Sequence, residues 1–195
     1  MSWSGSSGRF QEKTPFRRVL YFFPDFGGLS EFAAMKPYLR TFRLRWNDLD
    51  ANRHAANSAY ANMANDTRIG FMSDHGASQQ WMAEVHLAPV LLREEWHYLR
   101  ELHYDEQVSV NVELAGRTPD YRFVRFAHSL LRADGTLAAY SEVLWVWIDL
   151  QTRKMADPPE RIVQAVDDLP RTAHYALLSR EDTRLPPHVP VAGSA

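Results

Sequence analysis

Asp48-Leu49-Asp50-Ala51-Asn52-Arg53-His54-Ala55-Ala56-Asn57-Ser58-Ala59-Tyr60 is the stretch on which the reading of this chain turns. It closes a short alternating segment, crosses a polar corner and enters an Ala-rich helix. In extended backbone alternate residues share one side, so Asp48, Asp50, Asn52 and His54 fall on a common face. Carboxylate, amide and imidazole then converge at the mouth of a helix. That set points to chemistry, and makes an enzyme the leading reading.

Working outward, the segment before the corner reads as a strand over about Leu39 to Trp46. After it, Asn57 or Ser58 is expected to cap a helix that runs to about Ser73. Tyr60, Ala64, Thr67 and Phe71 form one helical stripe, and Asp74-His75-Gly76 is its stop. Ala55, Ala56, Ala59, Ala61 and Ala64 are small enough to let a sheet approach closely.

The following residues read mostly as strand. Glu84 to Leu99 is apolar and aromatic. Val108, Val110, Val112 and Leu114 alternate with polar neighbours, as a half-buried strand does. Thr118-Pro119-Asp120 turns the chain into Tyr121 to Leu131, and Asp134-Gly135 makes a tight hairpin into Leu137 to Ile148. That last strand is apolar on both faces, which predicts a central position or cover by another subunit. The Trp145 and Trp147 pair is read as packing at a subunit contact. One strand, one long helix and four antiparallel strands define an α+β domain, a curled antiparallel sheet of about five strands around one central helix.

The expected organisation is an N-terminal extension over 1–38, the α+β domain over 39–155, and a C-terminal helix with a Pro-rich tail over 156–195. That helix is placed at about Pro159 to Asp168, and the tail beyond Leu178 reads as loose. Within the extension, 1–14 reads as a disordered lead and Leu29 to Met35 as a short helix. Val19 to Phe23 reads as a packing segment, far below the ~20 apolar residues of a membrane span.

Composition narrows the function classes. The 195 residues carry a net charge of −2 and no basic block, which argues against nucleic acid as a partner. There is no cysteine, so disulfides and thiolate chemistry are excluded and a reducing cytoplasm is expected. The eight histidines form no His-x-x-x-His pair, and no metal site is expected. No phosphate loop, dinucleotide fingerprint or Gly-x-Ser-x-Gly elbow occurs, so no cofactor is implied. Arg68, Arg93, Arg100 and Arg117 are read as solvated surface charge rather than as a phosphate clamp.

The residues 48–60 resemble the signature of hotdog-fold acyl thioesterases. They are close to the 4-hydroxybenzoyl-CoA thioesterase-like acyl-CoA hydrolases, and closer to plant acyl-ACP thioesterases and the thioesterase-superfamily-member-6 group. The element order extends the resemblance over roughly 39–155. It implies a hotdog fold, a thioester substrate on CoA or on an acyl carrier protein, and assembly as a homodimer or homotetramer. Asp50 sits where the 4-hydroxybenzoyl-CoA enzymes keep their catalytic carboxylate. Asp50, Asn52 and His54 match the Asp, Asn and His that acyl-ACP thioesterases use together. Glu101, in Leu99-Arg100-Glu101, matches their Glu on the next strand, at a longer gap from His54. Ala55-Ala56 departs from the family's bulkier apolar residue and first Asn.

The chemistry also follows from the residues. A thioester carbonyl needs a nucleophile and a place for the developing oxyanion. Backbone amides at the helix start, Asn57 to Ala59, point outward with the positive end of the helix dipole. Asp50 can attack directly or deprotonate a water, with His54 orienting or sharing the proton and Asn52 positioning water or the carbonyl. Asn57, Ser58, Ala59 and Tyr60 are the candidate substrate-binding residues, Tyr60 as lining of the acyl pocket. Each has a structural reading beside it: Asp48 and Asp50 as caps of the corner, Asn57 as the helix cap, His54 as a satisfied histidine. A non-catalytic acyl-CoA-binding or membrane-associated module is the rival from another class.

Overall fold

The computed structural model describes residues 37–184. The expected lead, short helix and packing segment within 1–36, and the last residues of the Pro-rich tail, lie outside the described residues. The chain runs β1 (Tyr38–Arg43), α1 (Asn57–Asp74), α2 (Gln79–Glu84), β2 (Leu87–Tyr98), β3 (Gln107–Arg117), β4 (Phe123–Arg132), β5 (Leu137–Asp149), α3 (Glu160–Asp167) and β6 (Arg171–Leu177).

The sheet has the order β1-β3-β4-β5-β2, antiparallel throughout, with β6 added in parallel beside β3. β1 pairs with Val108 to Val112 and the neighbouring Gln107, whereas β6 pairs with the Leu114 to Arg117 end, so the two share one edge of β3. The α+β expectation holds. α1 lies against the sheet, and its stripe Tyr60, Ala64, Thr67 and Phe71 is buried. Val108, Val110, Val112 and Leu114 are fully buried on the same inner face, the outcome their alternation predicts.

β1 stops at Arg43, three residues short of the expected Trp46. Trp46–Asp48 forms a 3₁₀ turn instead, because the Asp48 carboxylate takes the Arg45 amide at 2.7 Å and the Arg45 guanidinium at 2.9 and 3.1 Å. The N-cap of α1 is Ala56, one residue before the expected Asn57 and two before Ser58. Two elements were not anticipated. α2 is too short for a periodic signal and starts where Ser78 Oγ accepts the Trp81 amide at 3.2 Å. β6 is mostly exposed, so its sequence carries no alternation. It approaches β3 closely at Gly116, where a Cβ would stand 2.7 Å from the Ala176 carbonyl oxygen.

The placement of the tryptophans is a correction. Trp145 and Trp147 are 3% and 0% exposed and pack beneath α1 within this chain, not at a subunit contact. β5 is central, between β4 and β2. Its outer face is crossed by the chain's own residues 178–184. Arg125 and Arg93, both opposite Leu144 in the ladder, reach Asp182 at 3.9 Å and its carbonyl at 3.2 Å. The expected loose tail is therefore placed as far as residue 184. Arg68 is a second correction: it is buried, not a solvated charge.

Candidate active site

The corner is a side-chain-built turn. Asp50 Oδ1 accepts two backbone amides, from Asn52 at 2.8 Å and from His54 at 3.2 Å. The Asp50 amide donates to the His54 carbonyl at 2.8 Å, and Arg53 completes the turn in the left-handed region at φ 66°. This is the local competition with regular structure at which Asp and Asn excel. Both hydrogen bonds fall on one carboxylate oxygen, which leaves Oδ2 without a partner among the described residues.

The corner is stapled to the loop between β2 and β3. Ala55 donates its amide to the Leu102 carbonyl at 2.8 Å, and His54 and His103 pair as an isolated antiparallel bridge. Leu102 is fully buried and anchors that loop. Glu101, expected on a strand, lies in this loop, with Oε2 3.4 Å from His54 Nε2. The His103 ring stands edge-on to that of His54, centroids 5.1 Å apart.

Asp50, His54 and Glu101 border one cleft of about 360 Å³, lined also by Asn57, Tyr60 and Tyr98 together with Ala55, Leu99 and Arg100. Tyr60 is buried, which raises its phenol above the usual range, and its ring meets that of Tyr98 at 5.1 Å. Asn52, Ser58 and Ala59 do not line the cleft; Asn52 serves the turn through its amide. At the helix mouth the Ser58 amide is taken by Asn57 Oδ1 at 2.9 Å, and the Ala59 amide by the Ala56 carbonyl at 2.8 Å. The Asn57 amide is the one left without an acceptor there among the described residues. It carries the positive end of α1.

Asp48 is held below the usual carboxylate range, first by the hydrogen bond from Arg45, and it serves the 3₁₀ turn as the structural reading has it. Sequence reasoning missed Tyr98 and His103. Tyr98 ends β2 and His103 lies in the β2–β3 loop, and no local spacing ties either to the corner. Among the described residues no group of three or more His, Asp or Glu side chains is arranged to hold a metal ion, and no helix is long and apolar enough to cross a membrane.

A curled antiparallel sheet on a central helix, with an acid-and-imidazole corner at the helix mouth, defines a hotdog-fold domain. The sequence profile of the thioesterase-like superfamily matches residues 44–166, and the chain belongs to that family. No curated protein matches the sequence. Among solved structures, a Staphylococcus aureus protein in complex with CoA is 24% identical, with a TM-score of 0.64 over 73% of this chain and 92% of its own. A 1,4-dihydroxy-2-naphthoyl-CoA thioesterase from Synechocystis is 18% identical, TM-score 0.62, covering 68% and 97%. A DHNA-CoA thioesterase from S. aureus is 16% identical, TM-score 0.62, covering 67% and 89%. At these identities the likeness speaks for the fold.

Proposed function

We propose that the protein is an acyl-CoA thioesterase, releasing a free acid and CoA, with Asp50 as nucleophile or general base. The observation that carries this reading is the state of Asp50. One oxygen is fixed by two amides, the other is unpartnered among the described residues, and the carboxylate borders a cleft shared with His54 and Glu101. A carboxylate fixed in this way is positioned without being consumed as a cap.

In the general-base route Asp50 takes a proton from water as the water oxygen bonds to the thioester carbonyl carbon. The carbonyl oxygen gains the electron pair and is held by the Asn57 amide. Collapse of the oxyanion breaks the C–S bond, and the CoA thiolate leaves and takes up a proton. In the nucleophilic route Asp50 itself bonds to that carbon, CoA leaves, and water hydrolyses the resulting anhydride; the products are identical. His54, oriented by Glu101, orients or relays the proton. Tyr60 and Tyr98 provide the apolar wall for the acyl group.

CoA as carrier is supported by the family and by the CoA-bound structural neighbour; an acyl carrier protein is the alternative carrier for the same chemistry. A homodimer or homotetramer is part of the reading. β2 is an edge strand with Leu91 and Leu92 exposed, the kind of edge a second copy covers. The test is CoA release from a panel of acyl-CoA esters. Wild type is expected to turn over, and Asp50→Asn to fold normally and lose kcat by about 10²-fold or more. Tight acyl-CoA binding without CoA release would support the binding-module reading instead, and unchanged turnover in Asp50→Asn removes Asp50 from the mechanism.

A further inference from the structure

The core is divided in two. One apolar cluster gathers around Tyr60, Met63, Leu102 and Val110, the other around Phe71, Phe126, Val143 and Trp145. Between them lies a buried polar layer, and its centre is Arg68, 3% exposed. Arg68 donates from one terminal nitrogen to His128 Nε2 at 2.7 Å and from the other to Asn65 Oδ1 at 3.3 Å. Its guanidinium covers the Trp145 ring at 4.9 Å. Among the described residues its Nε–H has no acceptor, and the hydroxyl of Ser141, which is 0% exposed, has no hydrogen-bond partner. Ser141 stands opposite His128 in one ladder and opposite Trp96 in the next, so these side chains share the inner face beneath α1. Two buried donors thus stand unanswered in one layer, and an unmade buried hydrogen bond is destabilising.

The layer and the cleft draw on the same two elements, α1 and β2. Tyr60 and Arg68 lie eight residues apart on α1, about 12 Å along the helix. On β2, Tyr98, Trp96 and Glu94 alternate onto the same inner face, and Glu94 is opposite Val143. The rings of Tyr60, Trp96 and Tyr98 stand within 5.1–6.3 Å of one another; Tyr60 and Tyr98 line the cleft, and Trp96 stands behind them, opposite Ser141. Ala64, between Tyr60 and Arg68, adds no bulk. Glu94 acts on Arg68 through space, against the burial that pushes Arg68 down to about 10, without an ion-pair contact. Arg68 therefore has a compensating charge nearby and one N–H, at Nε, without an acceptor among the described residues.

We propose that the acyl chain lies between α1 and β2, and that Arg68 Nε–H and the Ser141 hydroxyl bind an uncharged oxygen, a hydroxyl or keto group, at its far end. This rests on the thioesterase reading above. A distal carboxylate is opposed by Glu94, and a single aromatic ring is too short for the span. Arg68 and Ser141 are specificity residues, distant from the reacting carbon.

The test compares CoA esters of matched length, about eight to twelve carbons for the ~12 Å reach, with methyl, hydroxyl or carboxylate ends, and butanoyl-CoA as a short reference. Wild type is expected to favour the ω-hydroxy ester over the plain one by about tenfold in kcat/KM, as sites with buried hydrogen-bonding groups do. Arg68→Met is expected to bring that ratio to about one, and Ser141→Ala to lower it. Should Arg68→Met fail to fold by circular dichroism, Ser141→Ala carries the comparison. Equal rates on hydroxy and plain esters in wild type, wild-type ratios in the folded variants, or a preference for the carboxylate ester would each overturn the proposal. Absence of butanoyl-CoA hydrolysis together with all other esters would instead count against the thioesterase reading.

Discussion

His128 makes the fold sensitive to acid, and the size of the effect follows from its surroundings. Its ring is fully buried, with Nδ1–H donating to the Asn111 carbonyl at 2.7 Å and Nε2 accepting from Arg68. Burial first, and then the Arg68 charge, lower its pKa from 6.5 to about 3. Between those values the unfolded chain binds a proton that the folded chain refuses, so stability falls as pH falls through that window. At about 1.4 kcal/mol per unit, the loss between pH 7.5 and 4.5 is about 3 kcal/mol, a large part of a typical 5–15 kcal/mol. Gln reproduces both hydrogen bonds, one donor and one acceptor, and does not titrate. Urea denaturation of wild type and His128→Gln at both pH values measures the difference. The variant is expected to lose about 3 kcal/mol less than wild type on acidification, whatever its stability at pH 7.5. Equal losses in the two proteins would refute the buried neutral imidazole as the cause.

Gly116→Ala drives a Cβ to 2.7 Å from the Ala176 carbonyl oxygen and 2.9 Å from Leu178; a loss of about 1–3 kcal/mol is expected, with faster hydrogen exchange in β6, and wild-type stability would mean β6 does not pack there. Glu101→Gln leaves an exposed loop residue in place while removing the charge beside His54; kcat for acyl-CoA hydrolysis is expected to fall about tenfold at an unchanged urea midpoint, and wild-type kcat would remove Glu101 from the proton path.

What was legible in the sequence was local. Asp50 and His54 are four residues apart and could be paired without knowing the fold, but a turn made by their own backbone unites them and not the extended segment that alternation supposes, so Asn52 and Asp48 stand outside the cleft. Val108 to Leu114 and Asp134-Gly135 carry periodicity and turn chemistry that survive in the structure. Glu101 was found only through a resemblance, because what brings it to His54 is the burial of Leu102, a tertiary event. Arg68 and His128 meet across 60 residues, and nothing in the spacing marks a charged helix residue as buried. The two-sided apolar pattern of β5 left open a central strand or cover by another subunit, and the strand is central; its tryptophan pair was assigned to a subunit contact and is buried within the chain. Periodicity reports that a face is covered and not by what, and here the cover is residues 178–184 of the same chain.

The cap and the chemical reading of Asp50 are compatible once the two carboxylate oxygens are considered separately. Oδ1 carries the turn, since both amide donors converge on it. Oδ2 is the oxygen left for water or an acyl carbon. An Asn side chain keeps a carbonyl oxygen in the Oδ1 position and replaces the other by an NH₂ group, which neither attacks nor accepts a proton. Asp50→Asn therefore preserves the turn and removes the oxygen to which the proposed mechanism assigns the chemistry, whereas Asp50→Ala removes both. Stability lost in Asp50→Ala beyond that in Asp50→Asn measures the cap, expected at about 0.5–2 kcal/mol, and turnover lost already in Asp50→Asn measures the chemistry. A corner that loses activity only in step with stability across the two variants would be a turn and nothing more.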